Sequence, residues 1–210
     1  MIQAGMDVAR IGLAHGTLDE QVDKFRLVRS VAADLGRYVG IVVDLPGPKI
    51  RCAPFPSGGL ELLDDTHLLL GVDGSESSQD LINVDYPDLI DDVQLGDTLS
   101  FADGKVVLTI EDREGDRLKA RVLHGGKLDG RPGLHVPSDR LRLTSPTDED
   151  LSMLDTFVEL GTDMVAVSFV RSAHDIRRLG VEPAPRGPMV IAKIETKAAV
   201  QNLEGIIEAS

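Results

Sequence analysis

The chain has 210 residues, of which 42% are hydrophobic, and it carries a formal net charge of −13. That length allows one or two domains with a sizeable core, and the hydrophobic fraction excludes a disordered chain. The negative charge argues against nucleic acid and anionic membrane as partners, and no apolar run approaches the roughly 20 residues that span a bilayer. We therefore expect a cytoplasmic protein, whose one cysteine, Cys52, forms no intrachain disulfide and no thiolate zinc site.

A strand–helix–strand pattern opens the chain. A short apolar strand is predicted over 7–13, and a second buried strand over 39–44. Between them runs a helix that begins after Thr17, with Glu20 at the capping-box position, and stops at Gly36. This arrangement is typical of a parallel βαβ unit.

The composition changes between residues 51 and 143, where short alternating strands and turns replace helices. Asp103-Gly104 and the turn at 114–116 punctuate two predicted hairpins. We interpret 51–143 as an inserted, barrel-like antiparallel β domain. The flanking segments, 1–50 and 144–210, then form the two parts of one α/β domain.

The α/β pattern resumes with a helix that opens at 145–148 and has Leu151, Leu154, Val158 and Leu160 on its inner face. A buried strand over 163–170, a helix from about Ala173 to Leu179, a strand from Val190 to Glu195 and a terminal helix are predicted to follow. Four parallel strands, their helices and a β insertion indicate an α/β fold, a partial (β/α)8 TIM barrel with about half of its strands. Both ends are expected to be truncations of a larger fold.

Polar residues stand at each of the four predicted strand ends. Because the carboxyl ends of parallel strands meet at one face, these side chains are expected to converge there. Arginine suits phosphate, lysine can neutralise a developing oxyanion, and carboxylates can hold Mg²⁺, which together favour phosphoryl transfer. The pairs are Arg10 with His15, Asp44 with Arg51, Ser168 with Arg171, and Lys193 with Glu195.

Each of these residues also has a plain structural interpretation. An isolated Lys-x-Glu, such as Lys193 and Glu195, is more often a surface ion pair at a strand end. His15 taken alone is more often a loop histidine, and Ser168 a strand-end hydroxyl that satisfies the backbone. Arg10 lies inside an apolar strand, which favours a functional use.

Five sequence blocks, in order and over nearly the whole chain, resemble the pyruvate kinase family. The resemblance implies that family's barrel and inserted B domain, and transfer of a phosphoryl group from phosphoenolpyruvate to ADP in glycolysis, giving pyruvate and ATP. It also implies Mg²⁺ or Mn²⁺ as cofactor and a full-length homotetramer. The blocks are 5–10 with His15-Gly16-Thr17, 44–51, 133–137, 161–171 and 191–195.

The resemblance also implies roles for single residues. Lys193 would bind substrate and stabilise the enolate of pyruvate, while Arg10 would hold the substrate phosphate. Glu195 would bind the divalent metal. His15 would belong to the nucleotide-binding stretch, and Arg51 would contact the nucleotide phosphates.

The chain departs from potassium-dependent members of the family at the monovalent-cation site, to which the resemblance assigns Asp44. Gly12 and Ala14 stand where those members have Asn and Ser, so neither offers a side-chain oxygen. Lys49 stands where those members have Glu and where potassium-independent members have Lys. We therefore expect an internal cation at Lys49 and an enzyme that does not require K⁺.

Two further function classes stay open from the sequence. The chain is expected to be inactive alone, because the family's second metal carboxylate lies in a segment that does not occur here. It could accordingly be a non-catalytic pyruvate-kinase-like pseudoenzyme or a nucleotide-binding fragment. An aldolase-type lyase acting on pyruvate or phosphoenolpyruvate is the third possibility, and the β insertion argues against it.

Overall fold

The structure is a computed structural model that describes residues 1–102, 104–136 and 143–210. Two residues of the predicted motifs, Asp103 and Pro137, lie outside the described residues. The strands in chain order are β1 (Val8–Gly12), β2 (Gly40–Leu45), β3 (Leu60–Leu62), β4 (His67–Gly71), β5 (Leu81–Asn83), β6 (Thr98–Phe101), β7 (Val106–Glu114), β8 (Arg117–His124), β9 (Gly126–Leu128), β10 (Leu134–His135), β11 (Met164–Val167) and β12 (Met189–Ala192). The helices are α1 (Leu18–Asp34), α2 (Leu89–Asp92), α3 (Asp148–Glu159), α4 (Ala173–Arg177), α5 (Lys197–Gln201) and α6 (Leu203–Ala209), with a 3-10 turn at Ile2–Ala4.

The chain divides into two compact units, Met1–Pro48 with Leu143–Ser210, and Lys49–Arg142. In the first unit, four parallel strands form one sheet in the order β1-β2-β11-β12. Alternate residues of β2, namely Ile41, Val43 and Leu45, are buried in the core against the helices. Because successive strand side chains point to opposite faces, Val42 and Asp44 face the other side of the sheet. The predicted α/β class is confirmed.

The helices of the first unit begin where the sequence predicts. Thr17 and Thr147 each close a capping box at the start of α1 and α3. The predicted inner face of α3 is partly wrong, because Phe157 is fully buried while Val158 is 38% exposed. Phe157 follows Leu154 at helical spacing, and its ring packs against that of Phe25 in α1 at 5.8 Å between centroids. Phe157, and not Val158, therefore belongs to the inner face of α3.

The second unit contains a six-stranded sheet in the order β10-β6-β7-β8-β4-β5 and a separate pair, β3 with β9. Residues 50–53 link the two edges of the larger sheet. Cys52 N–H donates to the Pro132 carbonyl on one side, and Ala53 N–H donates to the Asn83 carbonyl on the other. The edges are thus closed through this segment, which gives a barrel-like arrangement. The expected purely antiparallel pairing is wrong in one place, since β4 and β5 are parallel.

Several predicted boundaries are wrong by a few residues. The strand expected over 163–170 ends at Val167, and the strand expected up to Glu195 ends at Ala192. The terminal helix is two short helices that meet at Asn202. The short strands β5, β9 and β10 have two or three residues each, too few for a visible alternating pattern. In the part of the chain that the structure describes, no helix combines the length and hydropathy needed to cross a membrane.

Candidate active site

The site is built at the carboxyl ends of the parallel strands of the first unit. Beyond β12 the backbone still pairs with its neighbour, because Lys193 N–H donates to the Val167 carbonyl at 3.0 Å. This bond keeps the extended conformation past the strand, so Lys193 and Glu195 share a face. Their charged groups lie 3.5 Å apart, from Nζ to Oε1.

Two basic side chains of the site contact Asp44, which lies in β2. Its side chain is only 5% exposed. Arg10 donates from Nε to Oδ2 at 2.7 Å, and a second guanidinium nitrogen also contacts that oxygen. Lys193 Nζ lies 3.2 Å from Oδ1. One buried carboxylate therefore holds the cations that arrive from β1 and from the end of β12.

The two oxygens of Asp44 are held differently. Oδ2 accepts a directed hydrogen bond from Arg10. Oδ1 is buried and accepts no hydrogen bond from the residues that the structure describes, although Lys193 is at ion-pair distance. The Lys193 ammonium carries three protons, so it can face this oxygen and still present a proton to a ligand.

Small residues on the neighbouring strands make room for this arrangement. In the strand register, Asp44 is flanked by Gly12 of β1 and Ala166 of β11. A Cβ at Gly12 would lie 3.9 Å from Nη2 of Arg10. The guanidinium therefore passes beside the glycine on its way to Asp44.

Glu195 is held from the other side. Its Oε2 accepts a hydrogen bond from the backbone N–H of Phe169 at 3.0 Å, and its side chain is 39% exposed. A carboxylate oxygen is a hard ligand suited to Mg²⁺, which takes one or two protein carboxylates and completes its shell with water and substrate oxygens. Among the described residues there is no cluster of three His, Cys, Asp or Glu placed for a metal. Glu195, with its partly exposed carboxylate, can supply one ligand to such a cation.

The other predicted strand-end residues of this unit have hydrogen-bond partners of their own. Ser168 Oγ donates to the Leu45 carbonyl at 2.5 Å, as its structural interpretation requires. Arg171 contacts Asp175 through Nε at 3.5 Å and through its backbone N–H at 2.8 Å. His15 is exposed, and its carbonyl accepts a hydrogen bond from the Gln21 side chain.

Lys49, Arg51 and Arg131 lie on two paired segments of the second unit. The backbone N–H of Arg51 donates to Asp85 Oδ1 at 2.6 Å, and Arg131 Nη2 donates to the other oxygen of the same carboxylate at 3.2 Å. Lys49 Cε lies 3.3 Å from the position of a Cβ on Gly133, the β-bridge partner of Arg51. Sequence reasoning missed Arg131, although it stands two residues before the third motif block, 133–137, and next to a proline.

Cys52 lies in the same region and is buried. Burial and, to a smaller extent, the Asp85 carboxylate together raise the pKa of its thiol to about 12, while Arg131 opposes the rise. A thiol with such a pKa is not a nucleophile near neutral pH. Its expected passive role agrees with this environment.

Comparisons with known proteins give one family. The model of the family described as "Pyruvate kinase, barrel domain" matches residues 1–210. The chain is 35% identical over 211 residues to a pyruvate kinase of Mycobacterium tuberculosis, of which it spans 45%. It is 34% identical to pyruvate kinases of Bacillus licheniformis and Thermococcus litoralis, of which it spans 37% and 45%. Each alignment covers the whole chain, so the chain spans less than half the length of these relatives.

Proposed function

Because this chain belongs to the pyruvate kinase family, we propose that it supplies the charged residues that contact the substrate in a pyruvate kinase. The reaction transfers a phosphoryl group from phosphoenolpyruvate to ADP and leaves the enolate of pyruvate. The observation that carries the proposal is the convergence of Arg10 and Lys193 on Asp44, with Glu195 beside Lys193. Phosphoryl transfer depends chiefly on positioning and charge, which this cluster supplies.

Each residue has a distinct part in this proposal. Lys193 meets the enolate oxygen as negative charge develops there, since its ammonium has three donors and can contact Asp44 and the substrate together. Arg10, with its side chain 68% exposed, presents the outer edge of its guanidinium to the substrate phosphate. Glu195 would hold the divalent cation, which when bound neutralises charge on substrate oxygens.

The nucleotide side of the proposal depends on the resemblance. Arg51 in the second unit would contact nucleotide phosphates, and His15 in the first would lie in the nucleotide-binding stretch. We propose ADP and ATP as the nucleotides. Both residue assignments stay predictions.

We also propose that the enzyme works without K⁺. Both oxygens of Asp44 already face side-chain cations of the chain, and its register neighbour Gly12 offers no side-chain oxygen. The sequence hypothesis gives Lys49 the place of the monovalent cation. An assay distinguishes the two substitutes for K⁺, namely the cations at Asp44 and Lys49. Lys49→Glu creates a K⁺ requirement only if Lys49 takes the place of the monovalent cation. A strong K⁺ requirement of the unsubstituted protein would contradict both.

The decisive experiment is a coupled assay of pyruvate formation on the complete gene product, comparing the unsubstituted protein with Lys193→Met. Removal of a charge that meets the transition state costs about 10²–10³ in kcat. Lys197→Met, at an exposed position in α5, is the matched control and should retain full activity. A Lys193→Met variant as active as the control would overturn the proposal. Nucleotide binding with no turnover in the unsubstituted protein would favour the non-catalytic alternative.

A further inference from the structure

The turn that follows β11 has an unusual backbone conformation at Phe169. Its φ is 55°, in the left-handed region that residues with a Cβ rarely adopt. Such conformations persist only where the surrounding structure imposes them, and they cluster at functional sites. The N–H of this residue points at Glu195 and donates to Oε2 at 3.0 Å.

The turn is fixed by contacts on both sides of Phe169. Ser168 Oγ donates to the Leu45 carbonyl, and the Ser168 carbonyl accepts from Ser145 Oγ, each at 2.5 Å. Both serines are buried, with 3% and 1% exposure. The residue before the strained position is therefore tied to β2 and to the segment that precedes α3.

Gly47 lies against the same turn. A Cβ built on it would stand 3.0 Å from Cδ2 of the Phe169 ring and 3.2 Å from both Cβ and the carbonyl oxygen of Ser168. Its own φ is 67°, and its N–H donates at 3.2 Å to Asp150, which is fully buried at the start of α3. Gly47 thus leaves the Phe169 turn the space that it occupies, and its own position is fixed by Asp150.

We propose that Phe169 is a positioning residue, whose strained turn, packed on Gly47, aims its backbone N–H at Glu195 and so orients this carboxylate for the divalent cation. The inference deepens the proposed function, on which the metal role of Glu195 rests. The N–H occupies Oε2, so the carboxylate keeps one rotamer and Oε1 is left beside Lys193. A fixed carboxylate binds a cation more tightly than a mobile one, because less conformational freedom is lost on binding.

The test is Gly47→Ala, which places a methyl group against the turn and leaves every proposed ligand unchanged. Amide hydrogen exchange of the 210-residue chain should show a roughly tenfold loss of protection at the Phe169 N–H. Mn²⁺ affinity of the complete gene product, measured from the electron paramagnetic resonance signal of free Mn²⁺, should fall by about tenfold, the lower end of the effect expected for a partner of a metal ligand.

Gly180→Ala is the matched control. Gly180 has almost the same φ, 65°, but no atom lies within 4 Å of the position of its Cβ. The control carries the same backbone strain without the clash, so both readouts should stay within about twofold of the unsubstituted protein. If Gly47→Ala behaves like Gly180→Ala in either readout, the positioning role is overturned.

Two further outcomes decide the remaining cases. If Gly47→Ala does not fold, Glu195→Gln is tested in its place, because it replaces the charged acceptor by a neutral one of the same size. Protection of the Phe169 N–H against exchange should then fall severalfold, since charge-assisted hydrogen bonds are roughly twice as strong as neutral ones. Unchanged protection there would refute the hydrogen bond itself. If the unsubstituted gene product binds no Mn²⁺ while Phe169 is protected, the metal role in the proposed function fails, although the contact exists.

Discussion

Asp44→Asn is the substitution that probes the candidate site most directly. It keeps the size of the side chain and removes the negative charge that Arg10 and Lys193 share. If the charge of Asp44 holds the two cations together, the variant loses stability and the cations separate. If the arrangement is only a consequence of the fold, the variant is as stable as the parent.

The expected magnitude follows from the geometry. A pair of unit charges 3.2 Å apart attracts by about 5 kcal/mol at an effective dielectric constant of about 20. Two terms reduce this. The substitution removes the desolvation penalty of the buried Asp44 charge. In addition, the guanidinium of Arg10, whose side chain is 68% exposed, becomes better hydrated. We therefore expect the free energy of unfolding to fall by about 1.5–3 kcal/mol, the range of a hydrogen bond to a charged group.

The assay is urea unfolding of the 210-residue chain, combined into a double-mutant cycle with Lys193→Met. Lys193→Met leaves Asp44 buried with Arg10 alone, so a coupling energy of about 1 kcal/mol or more is expected between the two substitutions. Glu182→Gln is the matched control, because it removes the charge from an exposed pair with Arg186 and should change stability by less than about 0.5 kcal/mol. Additive effects of the Asp44 and Lys193 substitutions would refute the shared-charge reasoning.

Three more predictions concern the second unit. Hydrogen bonds from Arg121 and, to a smaller extent, His67 lower the pKa of Glu111 from its ordinary value of 4.5. The stability that Glu111 contributes is therefore present above pH 4.5 and is lost as the pH falls through the lowered pKa of the folded state. Glu111→Gln should flatten the acid limb of a stability–pH profile recorded by circular dichroism. The buried Cys52 thiol, with its pKa raised to about 12, should react with Ellman's reagent at about pH 8 on the order of a thousandfold more slowly when folded than in denaturant. Gly71→Ala places a Cβ 2.6 Å from the buried Oδ1 of Asn83 and should lower the free energy of unfolding by about 1–3 kcal/mol in urea.

Controls for these experiments come from the same chain. Glu76→Gln, at an exposed carboxylate, should leave the acid limb unchanged, and an equal flattening would contradict the role given to Glu111. Rapid labelling of Cys52 in the folded chain would contradict its burial. Gly205→Ala, inside α6 with its nearest atom 3.8 Å away, should stabilise by about 0.5–1 kcal/mol, so a stabilising Gly71→Ala would refute the clash.

The predictable parts of the fold are those governed by local rules. The capping boxes at Thr17 and Thr147 follow from hydroxyl and carboxylate side chains three residues apart. The apolar runs of β2 and β11 indicate strands buried in a parallel sheet. The early end of β11 was not predictable, because an apolar sequence such as that around Phe169 does not reveal a left-handed turn.

The sequence by itself determined the strand-helix order, the family and the charged residues at the strand ends. These can be recognised from short stretches of sequence, because they depend on hydrophobic periodicity and on the order of the motifs. Only the tertiary structure decided which of these charges meet. Arg10 and Asp44 are 34 residues apart in sequence, and Lys193 is farther still, so no local pattern joins them. Parallel pairing brings their strand ends together, so that one buried carboxylate, flanked in register by Gly12 and Ala166, contacts two cations.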